Sequence, residues 1–174
     1  MHARTDSLTG LSNRQTIHGE ISGFLSETSA PRGVLLFLDL DNFKKVNDTM
    51  GHRVGDHVLC RVAKLFRRTL RSSDFIGRVG GDEFVVLLTG ISSREEGMEY
   101  AGRMCSAVEH MEDPLLGEHK LSCSIGGVVC PGDGTEYDTL FVKADAALYE
   151  AKHRGRNQCV FFVPGMDYST SSIL

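Results

Sequence analysis

The feature that most constrains this chain is a pair of strand-like runs, residues 75–79 and 84–88, separated by Gly80-Gly81-Asp82-Glu83. Two short runs of strand formers with a glycine pair between them read as a β-hairpin, and the glycines are expected to supply the positive φ angles of a tight connection. A second short run, Val34-Leu35-Leu36-Phe37-Leu38, lies between Gly33 and the acidic pair Asp39 and Asp41. It is too short for a typical buried helix and reads as a central strand buried on both faces.

Helical spacing fills the intervals. Asn13 caps a stripe of Ile17, Ile21, Phe24 and Leu25 that ends at Pro31. Phe43, Val46 and Met50 form a short helix broken at Gly51, and Val54 to Leu70 mark a longer one ended by Ser72 and Ser73. Ser92 or Ser93 caps a helix whose stripe is Met98, Ala101, Met104, Cys105 and Val108. Residues 121–129 read as a strand, 137–153 as a helix with Gly155 past its end, and 158–163 as a last strand. The domain therefore spans residues 1–163, with residues 164–174 a flexible tail.

From Val34 onward the order is β, α, α, ββ, α, β, α, β, so the chain is of the α/β (α+β) class with a ferredoxin-like βαββαβ core. The first strand and the second hairpin strand then lie side by side and antiparallel. That topology brings Asp39 and Asp41 to the same sheet edge as the hairpin tip. Alternation puts Asp39 and Asp41 on one face and Asp82 and Glu83 on opposite faces, so one acid from each segment meets the other. Convergent carboxylates repel unless a cation joins them, and hard oxygen ligands suit Mg²⁺ or Mn²⁺. Taken singly, Asp41 reads as a cap of the following helix and Asp82 as a turn residue.

Composition narrows the partners. The 174 residues carry 19 Lys and Arg against 23 Asp and Glu, a formal net charge of −4, which disfavours a broad nucleic-acid surface. A polyphosphate partner would need local positive charge. Five cysteines without C-x-x-C spacing fit a reducing, cytoplasmic setting, and no apolar run approaches the length of a membrane span.

The string Arg71-Ser72-Ser73-Asp74-Phe75-Ile76-Gly77-Arg78-Val79-Gly80-Gly81-Asp82-Glu83-Phe84 resembles the GGDEF domain of diguanylate cyclases. So do Asp6-Ser7-Leu8-Thr9-Gly10-Leu11-Ser12-Asn13-Arg14, Phe37-Leu38-Asp39-Leu40-Asp41-Asn42-Phe43-Lys44-Lys45-Val46-Asn47-Asp48 and Gly51-His52-Arg53-Val54-Gly55-Asp56. Ser124-Ile125-Gly126 and Ala144-Asp145-Ala146-Ala147-Leu148-Tyr149-Glu150-Ala151-Lys152 with Gly155-Arg156-Asn157 complete the match.

The resemblance implies a palm-like fold, with a mainly antiparallel central sheet flanked by helices, shared with nucleotide cyclases and polymerases. It implies condensation of two GTP into cyclic di-GMP with release of pyrophosphate, by a homodimer with one GTP in each half-site. By the same similarity Asp39, the Leu40 carbonyl, Asp82 and Glu83 would hold two Mg²⁺ or Mn²⁺ ions per half-site, and Asp82, Glu83 and Lys44 would be catalytic. Asn47 and Asp56 would read the guanine edge, a donor and acceptor pattern adenine cannot match. Lys44, Lys152, Arg156 and the N–H groups of Phe43 and Lys44 would hold phosphates, while His52 is either a phosphate neighbour or a packing residue. Arg71 and Asp74 resemble the family's RxxD inhibitory product site, with Arg78 and Arg103 as further charge. An upstream sensor or receiver domain usually accompanies such a domain. Two other readings stay open: a silent domain that binds GTP or cyclic di-GMP, and a polymerase-like nucleotidyl transferase, which the negative charge disfavours.

Overall fold

The computed structural model describes residues 4–27 and 29–166. In chain order the elements are α1 (Arg14–Glu27), β1 (Gly33–Asp41), α2 (Phe43–Met50), α3 (His52–Thr69), β2 (Phe75–Arg78), β3 (Glu83–Thr89), α4 (Arg94–Glu109), β4 (Ser122–Cys130), α5 (Tyr137–His153) and β5 (Cys159–Phe161). The sheet order is β2-β3-β1-β4-β5, antiparallel except for the parallel β4–β5 pair. This is the expected βαββαβ core with one strand added.

Every residue of β1 is buried. Val34, Leu36, Leu38 and Leu40 enter a core shared with α2, α3 and α4, while Leu35 and Phe37 enter the one shared with α1 and α5. A central strand covered on both faces has no polar alternation, which is why the run looked uniformly apolar. The strand continues past that run because its ladder with β4 extends to Asp41 opposite Ser122.

Close approach of backbones fixes α5 on the sheet. A Cβ on Gly126 would lie 2.0 Å from the Ala144 carbonyl oxygen and 2.4 Å from the Leu148 nitrogen. Only glycine lets β4 and α5 come this close, and that contact sets where the last turn of α5 projects.

The structure alters two local expectations. Neither Gly80 nor Gly81 has positive φ. Four residues, 79–82, separate the strands, and a connection of that length does not need the mirror-image turns of a two-residue loop. A Cβ on Gly80 would lie 2.2 Å from Glu83 Oε2, the movable end of that side chain, so the tip is close-packed around the Glu83 carboxyl. In α4, capped by Ser93 through the Glu96 N–H, Met98 is 42% exposed, and the inward stripe is Gly97, Tyr100, Ala101, Met104, Cys105 and Val108. Met98 sits one residue off that face. In the expected tail, 164–174, the Met166 side chain packs against the α1–α5 core, and residues 167–174 lie outside the described residues.

Candidate active site

The end of β1 meets the hairpin tip through Asp39 paired with Glu83 and through a 3.1 Å hydrogen bond from the Leu40 N–H to the Asp82 carbonyl. Lys152, in the last turn of α5, donates to Asp39 Oδ2 at 2.5 Å. Asp39, Glu83, Asp145, Lys152 and Arg156 border one open cleft of about 550 Å³.

Three carboxyl groups converge here, not two. Asp82 precedes β3, so strand alternation does not govern its side chain, and its carboxyl lies within hydrogen-bonding reach of Asp39, while the Asp39 charge acts on Glu83. Burial, opposed by the Lys152 hydrogen bond and reinforced by the Asp82 charge, pushes the Asp39 carboxyl up to about 6. Burial first, then a neighbouring carboxylate, raises Asp82 and Glu83 as well. Negative charge is thus concentrated where water screens it poorly, with one lysine as counter-ion, and that donor set fits a divalent cation. Among the described residues no group of three or more His, Cys, Asp or Glu side chains is arranged to hold a metal by itself. The fit is therefore to an ion such as Mg²⁺ that takes one or two carboxylates and completes its shell with water and substrate phosphates.

Asn42 has φ of 57° and precedes α2 without a side-chain cap, leaving the first-turn N–H groups of Phe43 and Lys44 uncapped just past the end of β1. The Phe43 side chain is buried and the Lys44 side chain exposed. Asn47 faces the start of α3: a Cβ on Gly55 would lie 1.8 Å from Asn47 Oδ1, so Gly55 makes the space that side chain occupies. Asp56 follows directly and is exposed, as is His52 at the first position of α3. Asn47 and Asp56 stand together at the α2–α3 corner, with His52 exposed close by in sequence.

Asp41 does not cap α2. It is 4% exposed and accepts from Ser122 Oγ at 2.6 Å, Ser124 Oγ at 2.7 Å and the Asn157 N–H at 3.1 Å. The direction of its side chain, set by β1, carries it toward β4 and away from the helix start.

At the far end of β2, Asp74 is buried and braces the connection, accepting from the Arg71 N–H and the Thr89 N–H at 2.9 Å each. The Arg71 side chain reaches Tyr100, with Nε 2.7 Å from the hydroxyl, and the Arg103 guanidinium lies 4.4 Å from the centre of the same ring. Arg78 does not join them: it holds both oxygens of Asp6 at 3.1 Å and the Gly81 carbonyl at 3.0 and 2.8 Å. Burial alone would raise the Asp6 carboxyl, but hydrogen bonds from Thr9 and Arg78 outweigh it and hold that group low. Tyr100 and Asn157 were missed as members of these clusters. Tyr100 carried a signal, since it lies three residues before Arg103 on one helix face.

The family model described as diguanylate cyclase, GGDEF domain, matches residues 3–158. Diguanylate cyclase DosC of Escherichia coli K12 is 42% identical over 158 residues, covering 88% of this chain and 34% of that protein. The cyclic di-GMP phosphodiesterase PdeR of the same organism is 37% identical over 176 residues, covering 95% of this chain and 25% of its own length. The chain spans 24% to 52% of the length of the first curated relatives it matches. Among solved structures, the GGDEF domain of YfiN from Pseudomonas aeruginosa superposes with a TM-score of 0.84 at 33% identity, covering 91% of this chain and 94% of that one. The GGDEF domain of DgcB from Caulobacter crescentus, solved in complex with c-di-GMP, gives 0.78 at 28% identity, covering 92% and 96%. With the fold, the ordered motifs and the family model in agreement over nearly its whole length, the chain belongs to the GGDEF family of diguanylate cyclase domains.

Proposed function

We propose that this domain is an active diguanylate cyclase that joins two GTP molecules into cyclic di-GMP as a two-fold dimer. The observation that carries the reading is the three-carboxylate edge of Asp39, Asp82 and Glu83 beside the uncapped start of α2 and the Asn47–Asp56 corner. Asn47 and Asp56 read the guanine edge. Lys44, Lys152 and Arg156, with the Phe43 and Lys44 N–H groups, hold the triphosphate, and His52 stands at the same corner as a phosphate neighbour. Asp39, the Leu40 carbonyl, Asp82 and Glu83 would hold Mg²⁺ or Mn²⁺, two per half-site. Bound there, the metal neutralises phosphate charge and lowers the pKa of the attacking hydroxyl.

The 3′-oxygen of one GTP forms a bond to the α-phosphorus of the other, and the α–β phosphoanhydride bond breaks to release pyrophosphate. Asp82 is the candidate acceptor of the hydroxyl proton. Repetition with the roles exchanged closes the ring and releases the second pyrophosphate. Each half-site holds one substrate, so the two-fold product requires two domains face to face, and the residues of each mainly position and neutralise.

Incubation with GTP and Mg²⁺ followed by mass spectrometry is expected to yield cyclic di-GMP. Asp82→Ala is expected to lower turnover at least about 100-fold while the melting temperature changes little, because a hairpin tip adds little to the core. The match to a phosphodiesterase such as PdeR keeps the silent-domain reading in view. GTP binding without any product would establish that reading instead. Product inhibition through Arg71, Arg103 and the Asp74-braced connection belongs to the same proposal, supported by the paired guanidiniums on Tyr100.

A further inference from the structure

Gly155, Arg156 and Asn157 have φ of 110°, 64° and 47° in succession. Glycine takes this region freely, whereas arginine and asparagine do so at a steric cost, so the run persists only where its surroundings hold it. The holders are identifiable. The Asn157 N–H donates to Asp41 Oδ2 at 3.1 Å, Asn157 Nδ2 donates to Glu109 Oε1 at 3.1 Å, and the Arg156 N–H donates to the Ala151 carbonyl at 3.0 Å.

Asp41 is itself unusual. It is a buried carboxylate whose bonding partners are two serine hydroxyls and this one backbone N–H, with no basic side chain in a salt bridge to it among the described residues. The β1–β4 ladder is continuous from Gly33 to Asp41 and does not need a buried charge to join it. What only Asp41 supplies is an anchor between the end of β1 and the turn after α5.

The turn has a geometric consequence. α5 ends at His153, so helical spacing no longer governs Arg156, yet Arg156 borders the same cleft as Lys152. The left-handed run folds the chain back over the helix end and returns Arg156 to the cleft.

We infer that Asp41 and the Gly155–Asn157 turn are a positioning device for Arg156, which makes Asp41 and Asn157 positioning residues for the triphosphate. This rests on the proposed cyclase reading, in which Arg156 contacts phosphate. Asp41 acts only by anchoring the Asn157 N–H, and Asn157 only by holding the left-handed turn.

The test is the affinity for a non-reactive GTP analogue with Mg²⁺, measured by calorimetry in parent and Arg156→Ala backgrounds. Asn157→Val keeps the N–H but disfavours the left-handed region, whereas Asn157→Gly keeps both and loses only the Glu109 contact. In the parent background Asn157→Val and Asp41→Ala are each expected to weaken binding about tenfold, the scale of one charge-assisted phosphate contact, and Asn157→Gly less than about twofold. In the Arg156→Ala background Asn157→Val and Asp41→Ala should each change affinity less than about twofold, although Asp41→Ala lowers the melting temperature in both. If Asp41→Ala does not fold, Asn157→Val carries the test alone. Equal losses with and without Arg156, or parent affinity in Asn157→Val, overturn the inference. A parent protein that does not bind the analogue overturns the cyclase reading itself, and the inference falls with it.

Discussion

Asp39 shows how a single side chain can be held against its own preference. Its carboxyl is raised from 3.8 to about 6, chiefly by burial, against the pull of the Lys152 hydrogen bond. A carboxyl whose folded pKa is raised contributes stability that is fully present below about pH 4 and is lost as pH climbs through about 6. In metal-free buffer, Asp39→Asn is therefore expected to gain on the parent as pH rises from 4.5 to 7, the gap then levelling. The change should amount to a few degrees in melting temperature, at about 2–4 °C per kcal/mol for a domain of this size. Thermal scans across pH check the sign, and added Mg²⁺ should narrow the gap by stabilising only the parent.

Among the elements, β4 and α5 depend most on one missing side chain. The atoms that a Cβ on Gly126 would strike belong to the α5 backbone, which cannot rotate away as a side-chain tip could. Gly126→Ala is expected to cost about 3 kcal/mol or more, at the upper end of overpacking penalties, and to be visible as a lower urea midpoint. The same clash would shift the last turn of α5 and with it Lys152. At the opposite end of the sheet, α4 brings Tyr100 and Arg103 against Arg71. Arg71→Ala is expected to lose calorimetric binding of cyclic di-GMP by about tenfold or more while keeping turnover, and the parent is expected to show inhibition that GTP does not relieve.

For the whole molecule, the proposed reaction ties rate to association. In that scheme each half-site holds one GTP, so both halves of the product require two copies. Well below the dimerisation constant the rate should rise nearly with the square of protein concentration. A rate strictly proportional to protein, across a range that sedimentation shows to be monomeric, would contradict the two-site scheme. Among the described residues no helix is long and apolar enough to cross a membrane, and the described cysteines are all free thiols.

The elements and their order were legible in the residues themselves, because strand and helix periods, the Ser93 cap and the stop at Gly155 depend on neighbours a few positions away. The convergence of Asp39 with the hairpin followed from topology, since an antiparallel β1–β3 pair leaves no other place for that end of β1. Partnerships were a different matter. Asp41 looked like a cap and is bound to Ser122, Ser124 and Asn157; Arg78 looked like spare charge and holds Asp6; Asp74 braces backbone. Each of these polar groups could satisfy itself locally or at long range, and local sequence does not distinguish the two. Tertiary packing decided, because a buried hydrogen-bonding group must find whatever partner the folded chain brings within reach.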